Sequence, residues 1–227
     1  MGCFFLLLPL SGSMDISIFK NLGVIELALN PGLTAITLPV SSKAVTALDL
    51  NGCDVRTLDC SGLSGLGGIF KTTANVNLTS ITLPNSSQVF TEFQTPLCNL
   101  KNINCSGLTG LGGLFDVSSN SSLTAVTFPA STQNFTSIHT SGCSLSYLNL
   151  LPISASSSDN ISISFNNNSW KADVVNHMLY DLDIIGWTGG TMDISGTNEA
   201  PDASSGGYNG TVAKASLDGK GWTITTT

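Results

Sequence analysis

The sequence predicts an α/β solenoid, a stack of parallel-strand coils closed at its C-terminal end by a helical cap. Three observations carry that prediction. The phrase Leu33-Thr-Ala-Ile-Thr-Leu-Pro39 recurs 45 residues later as Leu78-Thr-Ser-Ile-Thr-Leu-Pro84, and again as Leu123-Thr-Ala-Val-Thr-Phe-Pro129. A second phrase, Val55-Arg-Thr-Leu-Asp-Cys-Ser-Gly62, returns at the same step as Leu100-Lys-Asn-Ile-Asn-Cys-Ser-Gly107 and more loosely as Leu145-Ser-Tyr-Leu-Asn-Leu150, so the unit is a pair of coils of 22 and 23 residues. Within both phrases every second residue is apolar, the period of a strand with one buried face. Units this short cannot bury an apolar face alone and must stack to do so.

Taken in order, residues 1–12 are an apolar N-terminal cap or docking segment. The run Phe4 to Leu10 lacks the positive flank of a secretion signal and is too short to span a bilayer. The repeat array is expected over 13–165, with strand centres at Met14/Ile16, Ile36/Leu38, Leu58/Cys60, Ile81/Leu83, Ile103/Cys105, Val126/Phe128 and Leu148/Leu150 stacked into one parallel sheet. The segments Ser42 to Cys53, Ser87 to Cys98 and Thr132 to Cys143 carry further apolar residues, Leu48, Leu50, Phe93 and Ile138 among them, and are expected to line a mostly non-helical back. The period breaks after Leu150, and 166–227 is read as a cap of two short helices and two strands. One helix is expected from Lys171 to Ile185, because Val174, Val175, Met178, Leu179, Leu182 and Ile185 share a face, with Ser169 as its cap and Gly186 as its stop. A strand over Thr191 to Ser195, a helix from Thr211 to Lys220 ended by Gly219 and Gly221, and a strand from Trp222 to Thr225 complete the chain.

Composition removes several function classes. Only 10% of residues are charged and the net charge is -7, which offers no clustered basic face for nucleic acid. Cys53, Cys98 and Cys143 are 45 apart, as are Cys60 and Cys105, so these cysteines belong to the repeat. Residues one unit apart sit two coils apart, about 10 Å at strand spacing, beyond the roughly 7 Å limit for a disulfide. They are expected to be free, buried, small core residues. The phrases Gly62-Leu-Ser-Gly-Leu-Gly-Gly68 and Gly107-Leu-Thr-Gly-Leu-Gly-Gly113 lack the Gly-Lys-Ser/Thr ending of a phosphate loop and read as tight coil turns. Catalysis is not expected: Asp59 and Asp54 become Asn104 and Asn99 one unit on, and His139 and His177 have no nucleophile motif beside them.

The pattern Val45-x-x-Leu48-x-Leu50-x-x-Cys53-x-Val55 resembles a leucine-rich repeat, nearest the bacterial surface-antigen (BspA-like) subclass, with Cys53, Cys98 and Cys143 at its Asn/Cys position. That resemblance implies a horseshoe or arc with the parallel sheet on the concave face. The tail, with Gly189-Gly-Thr-Met-Asp-Ile-Ser-Gly196, Asn198-Glu-Ala-Pro201 and Ala213-Lys-Ala-Ser-Leu217, resembles C-terminal caps of repeat proteins from bacteriophages and environmental bacteria. It implies a place on a virion or a bacterial cell surface. The candidate ligand-binding residues are then the outward strand positions, Thr37, Thr57, Asp59, Thr82, Asn102, Asn104, Thr127, Tyr147 and Asn149. They are small and mostly uncharged, suited to weak, multivalent contacts with a cell-surface glycan or protein. The function expected is a non-enzymatic attachment or ligand-binding module without cofactor or metal. The alternative is a structural virion or assembly protein that packs on neighbouring subunits, or as a homo-oligomer, through its N-terminal segment.

Overall fold

The computed structural model describes residues 2–5, 9–130, 135–153 and 160–227, and for 2–5 and 153 the backbone alone. The chain alternates between two sides of a solenoid. In order, β1 (Gly2–Phe5), β2 (Ser11–Asp15), β3 (Leu22–Glu26), β4 (Gly32–Thr37), β5 (Val45–Asp49), β6 (Thr57–Asp59) and β7 (Leu66–Lys71) make the first coils. Then come β8 (Ser80–Thr82), β9 (Ser86–Gln94), β10 (Asn102–Asn104), β11 (Leu108–Asp116), β12 (Ala125–Thr127) and β13 (Phe135–His139). The last part holds β14 (Ser162–Ser164), α1 (Ala172–Ile185), β15 (Gly190–Asp193), α2 (Gly210–Gly219) and β16 (Trp222–Thr225). Ten of the strands form one parallel sheet in the order β1-β3-β5-β7-β9-β11-β13-β14-β15-β16. The rest pair two by two, β2 with β4, β6 with β8 and β10 with β12.

This arrangement corrects the expected sheet. The strand centres from Met14 to Phe128 lie on the side of the short pairs, and no strand forms at Leu148/Leu150, although both side chains are buried. The segments assigned to the back carry the large sheet, with Leu48 in β5, Phe93 in β9 and Ile138 in β13. Residues 131–134 of the third such segment lie outside the described residues. The glycine phrases begin as the expected turns, at Gly62, Gly65 and Gly107, but do not end there. They run into β7 and β11, where Gly68 and Gly113 take φ of +64° and +61° at register shifts. A Cβ there would collide with the carbonyls of Thr46 and Thr91 in the preceding coil, so glycine permits both the bulge and the close stacking.

Register stacks one interior residue per strand: Ile25, Leu48, Phe70, Phe93, Phe115, Ile138, Ile163, Met192 and Ile224. All are buried. Phe70, Phe93 and Phe115 lie in offset stacks with centroids 5.0 and 5.5 Å apart, each ring removed from water contributing about 1.5–3 kcal/mol.

Five residues beyond the last buried position of each large-sheet strand from β3 to β14, a ladder of alternating amides and thiols runs down the core: Asn30, Cys53, Asn75, Cys98, Asn120, Cys143 and Asn168. Asn75 donates through Nδ2 to the Leu50 and Thr72 carbonyls at 2.8 and 2.9 Å and accepts the Val55 N–H at 3.0 Å. Asn120 repeats this with Thr95, Val117 and Leu100. The thiols of Cys53, Cys98 and Cys143 each donate to one carbonyl of the preceding coil, those of Leu27, Thr72 and Val117. The two coil lengths follow from this alternation. After Asn the chain runs Asn-x-x-Leu and closes its own turn, Leu33, Leu78 and Leu123 donating to the carbonyls of Asn30, Asn75 and Asn120. After Cys it runs one residue shorter, Cys-x-Val/Leu, and the N–H of Val55 or Leu100 is taken by the asparagine of the next coil.

At the C-terminal end two helices replace the short strands as crossovers, while the large sheet continues through β14, β15 and β16. α1 starts one residue later than expected, and its cap is not Ser169: Glu199 Oε2 accepts the Ala172 N–H at 3.0 Å, from a neighbouring loop. Gly186, at φ 83°, ends it as expected. α2 is capped by Asn209, whose side chain accepts the Val212 N–H at 3.0 Å.

Candidate ligand-binding faces

Thr37, Thr57, Asp59, Thr82, Asn102, Asn104, Thr127 and Asn149 are all exposed, in two columns along the side of the short strand pairs. Part of their chemistry is local. Asp59 Oδ1 accepts the Ser61 N–H at 2.9 Å, Asn104 the Ser106 N–H at 3.0 Å and Asn149 the Leu151 N–H at 3.0 Å, as Asp15 does with Ser17 at 2.8 Å. These are turn-closing side chains. Bonds from the Ser61 hydroxyl and N–H hold the Asp59 carboxyl below its usual range. Tyr147 does not join the open face. Its ring stacks on His177 of α1 at 4.6 Å and its hydroxyl donates to the buried Asp181 carboxylate. Burial and that carboxylate push its phenol well above the ordinary value.

The opposite face is the outer surface of the ten-stranded sheet. Two outward columns follow from the register. One reads Val24, Ala47, Ile69, Glu92, Leu114, Ser137, Ser162, Thr191, Thr223; the other reads Glu26, Asp49, Lys71, Gln94, Asp116, His139, Ser164, Asp193, Thr225. Lys71 pairs with Glu92 at 3.1 Å, and Glu92 also accepts the Gln94 amide. Asp193 loses hydration through burial, yet bonds from the Ser195 hydroxyl, the Asn166 amide and the Ser195 N–H hold its carboxyl below the usual value. The sequence reading missed this surface. A signal existed: in the pattern through Leu48-x-Leu50, the residue between the two leucines is Asp49, and it stands outward in the large sheet.

Neither face assembles reactive groups around the cysteines. Cys53, Cys60, Cys98, Cys105 and Cys143 are free and buried. Burial pushes the thiols up, to about 11 for Cys98 and Cys143 and about 12 for Cys105, so they stay protonated at neutral pH. Among the described residues no group of three or more His, Cys, Asp or Glu is placed to hold a metal ion, and no helix is long and apolar enough to cross a membrane. Compared with known proteins, the chain matches no family model, no curated protein and no solved structure.

Proposed function

We propose that the chain is a non-enzymatic binding module of the leucine-rich-repeat type, displayed on a virion or bacterial cell surface, that holds an extended neutral glycan along the outer face of its ten-stranded sheet. The observation that carries the reading is a contrast at the 45-residue step. On the side of the short strands one outward column repeats closely, with Thr37, Thr82 and Thr127 in one set and Asp59, Asn104 and Asn149, alike in shape though not in charge, in another, while Thr57, Asn102 and Tyr147 beside it differ. On the large sheet the column that begins at Glu26 does not: Glu26, Lys71 and Asp116 form one set, Asp49, Gln94 and His139 the other, although Val24, Ile69 and Leu114 in the neighbouring column stay apolar. Repeated surface residues serve the coil, whereas a surface that changes from coil to coil can be specific for a partner.

The face suits a saccharide polymer. Nine strand steps of about 4.8 Å span roughly 43 Å. The half-apolar column of Val24, Ala47, Ile69 and Leu114 offers contact to C–H faces, and the neighbouring carboxylates and amides offer hydroxyl partners. Its acidic balance, with the chain at -7, disfavours sulfated or polyanionic chains. The leucine-rich-repeat assignment is supported by the Asn/Cys ladder, which falls on the Asn/Cys position of that pattern. A glycan array probed with the full chain tests the proposal. A neutral glycan should be retained, with Ile69→Ala and Gln94→Ala each weakening it about tenfold, or about 1.4 kcal/mol, while Thr82→Ala and Thr127→Ala leave it unchanged. Retention of no neutral glycan, or loss caused by the threonine variants instead, would overturn it.

A further inference from the structure

A second, separate feature lies in the cap. A cleft of about 290 Å³ opens between α1 and the start of α2, lined by Tyr180, Asp183, Gly207, Tyr208, Asn209 and Val212. Two tyrosine rings form its aromatic corner, Tyr180 and Tyr208, with centroids 5.0 Å apart and planes inclined at 49°. Tyr180 is 42% exposed.

Tyr208 is held in place from two directions. Its ring stacks on His177 at 4.2 Å and 10°, and His177 stacks in turn on Tyr147 at 4.6 Å. The buried Asp181 carboxylate anchors that column, accepting from the Tyr147 hydroxyl and lying 3.5 Å from His177 Nε2. The loop carrying Tyr208 is fixed by Asn176, which is fully buried on α1. Its Nδ2 donates to Asp202 Oδ1 at 2.7 Å, to the Ser205 carbonyl at 3.2 Å and to the Tyr208 carbonyl at 3.1 Å, while its Oδ1 accepts the Asp202 N–H at 3.0 Å. Two buried polar side chains therefore fix one aromatic ring at the wall of an open cleft. Such pre-ordering lowers the entropic cost of binding.

We propose that this cleft is a binding subsite for a single neutral sugar ring. A pyranose presents a C–H face that packs on tyrosine and a rim of hydroxyls that needs both donors and acceptors. The cleft supplies the two rings, the Asp183 carboxylate as acceptor and the Asn209 Nδ2 as donor, Asn209 Oδ1 being taken by the Val212 N–H and the Thr211 hydroxyl. Its volume lies at the low end for ligand sites, which fits one ring and not a chain. An aromatic corner beside a carboxylate could instead cage an organic cation. Here Asp183 is already matched: Lys220 Nζ donates to its Oδ1 at 2.7 Å and to its carbonyl at 2.6 Å. With its charge neutralised the carboxylate serves as an acceptor for hydroxyls. The inference stands on the cleft alone and is independent of the large-sheet reading.

The test is saturation-transfer NMR on the full chain with the methyl glycosides of glucose, galactose, mannose and N-acetylglucosamine, and with tetramethylammonium as the cation probe. At least one glycoside should bind saturably with Kd of roughly 1 mM. Tyr180→Ala, at an exposed position, should weaken it about tenfold and Tyr180→Phe less than about threefold, since stacking carries the contact. Ile69→Ala on the large sheet should leave it unchanged, which separates this subsite from the large-sheet face. Binding of none of the four glycosides, binding undiminished in Tyr180→Ala, or displacement of the sugar by tetramethylammonium would overturn the proposal.

Discussion

Replacing Asn75 by alanine tests the ladder that joins the coils and sets their alternating lengths. The side chain is fully buried and makes three hydrogen bonds. The carbonyls it serves keep other partners, Leu50 the Cys53 N–H at 3.3 Å and Thr72 the Cys98 thiol at 3.1 Å. The Val55 N–H keeps none among the described residues. One orphaned buried donor costs about 1–3 kcal/mol and each carbonyl bond lost about 0.5–1.5 kcal/mol, so the variant should lose roughly 4 kcal/mol, a large part of the 5–15 typical of a domain. Asn75→Cys restores a donor toward the Leu50 carbonyl, as Cys53 supplies one to Leu27, but no acceptor for Val55; it should lose about 2 kcal/mol. Cys98→Ala removes one weak S–H bond and some packing and should cost about 1 kcal/mol. Urea unfolding followed by circular dichroism gives these differences, provided the slope with denaturant is unchanged. Hydrogen exchange at the Val55 amide gives an independent reading. A loss in Asn75→Ala no larger than in Cys98→Ala, or an undiminished protection of the Val55 amide, would refute the account of two unequal coil types.

Two further outcomes follow from the core. Among the described residues the Thr95 hydroxyl is buried with no hydrogen-bond partner, at a position where Leu27, Leu50 and Val117 stand in other coils; Thr95→Val should therefore raise stability by about 1 kcal/mol in the same urea assay, and a loss would contradict it. The thiols give a pH dependence: folded Cys98, Cys143 and Cys105 hold their protons up to about 11, 11 and 12 against 9.0 unfolded, so their contribution to stability is constant below pH 9 and falls above it, by about 1.4 kcal/mol per thiol for each pH unit. Unfolding midpoints measured from pH 8 to pH 10 should drop, less steeply in Cys105→Ala, and a flat profile would exclude the linkage.

The solenoid, its coil lengths and both helices were legible in the sequence because period and apolar alternation report directly on stacking. The side carrying the large sheet was not. Thr46 to Leu50 alternates as regularly as Thr34 to Leu38, so alternation alone could not rank them. The repeat drew attention to the wrong side, since Leu-Thr-x-Ile/Val-Thr recurs so closely while the large-sheet strands differ at their outward positions. Asn30, Asn75 and Asn120 were visible at the same 45-residue step as the cysteines, and their place in the ladder could have been read from the Asn/Cys pattern. Other features depend on contacts that no local pattern encodes. Tyr147 finds Asp181 34 residues later, and Asn176 fixes a loop 26 to 32 residues beyond it.

The continuity of the large sheet bears on where a long ligand can lie. On the side of the short strands the outward columns are interrupted: the strands pair only two by two, Tyr147 is drawn into the cap, and beyond Leu150 helices take the place of strands. On the other side the hydrogen-bonded register passes from β13 through β14 and β15 to β16 without a shift, so Ser164, Asp193 and Thr225 extend the column that begins at Glu26. The charge along it is graded as well. Acidic and basic groups occupy the strands from Glu26 to Asp116, whereas from Ser137 to Thr225 the two columns are chiefly hydroxyls, with His139 and Asp193 as the exceptions. A polymer lying along this surface would therefore meet chemically different ends and bind in one direction, which is a property that a face built from identical repeats could not provide.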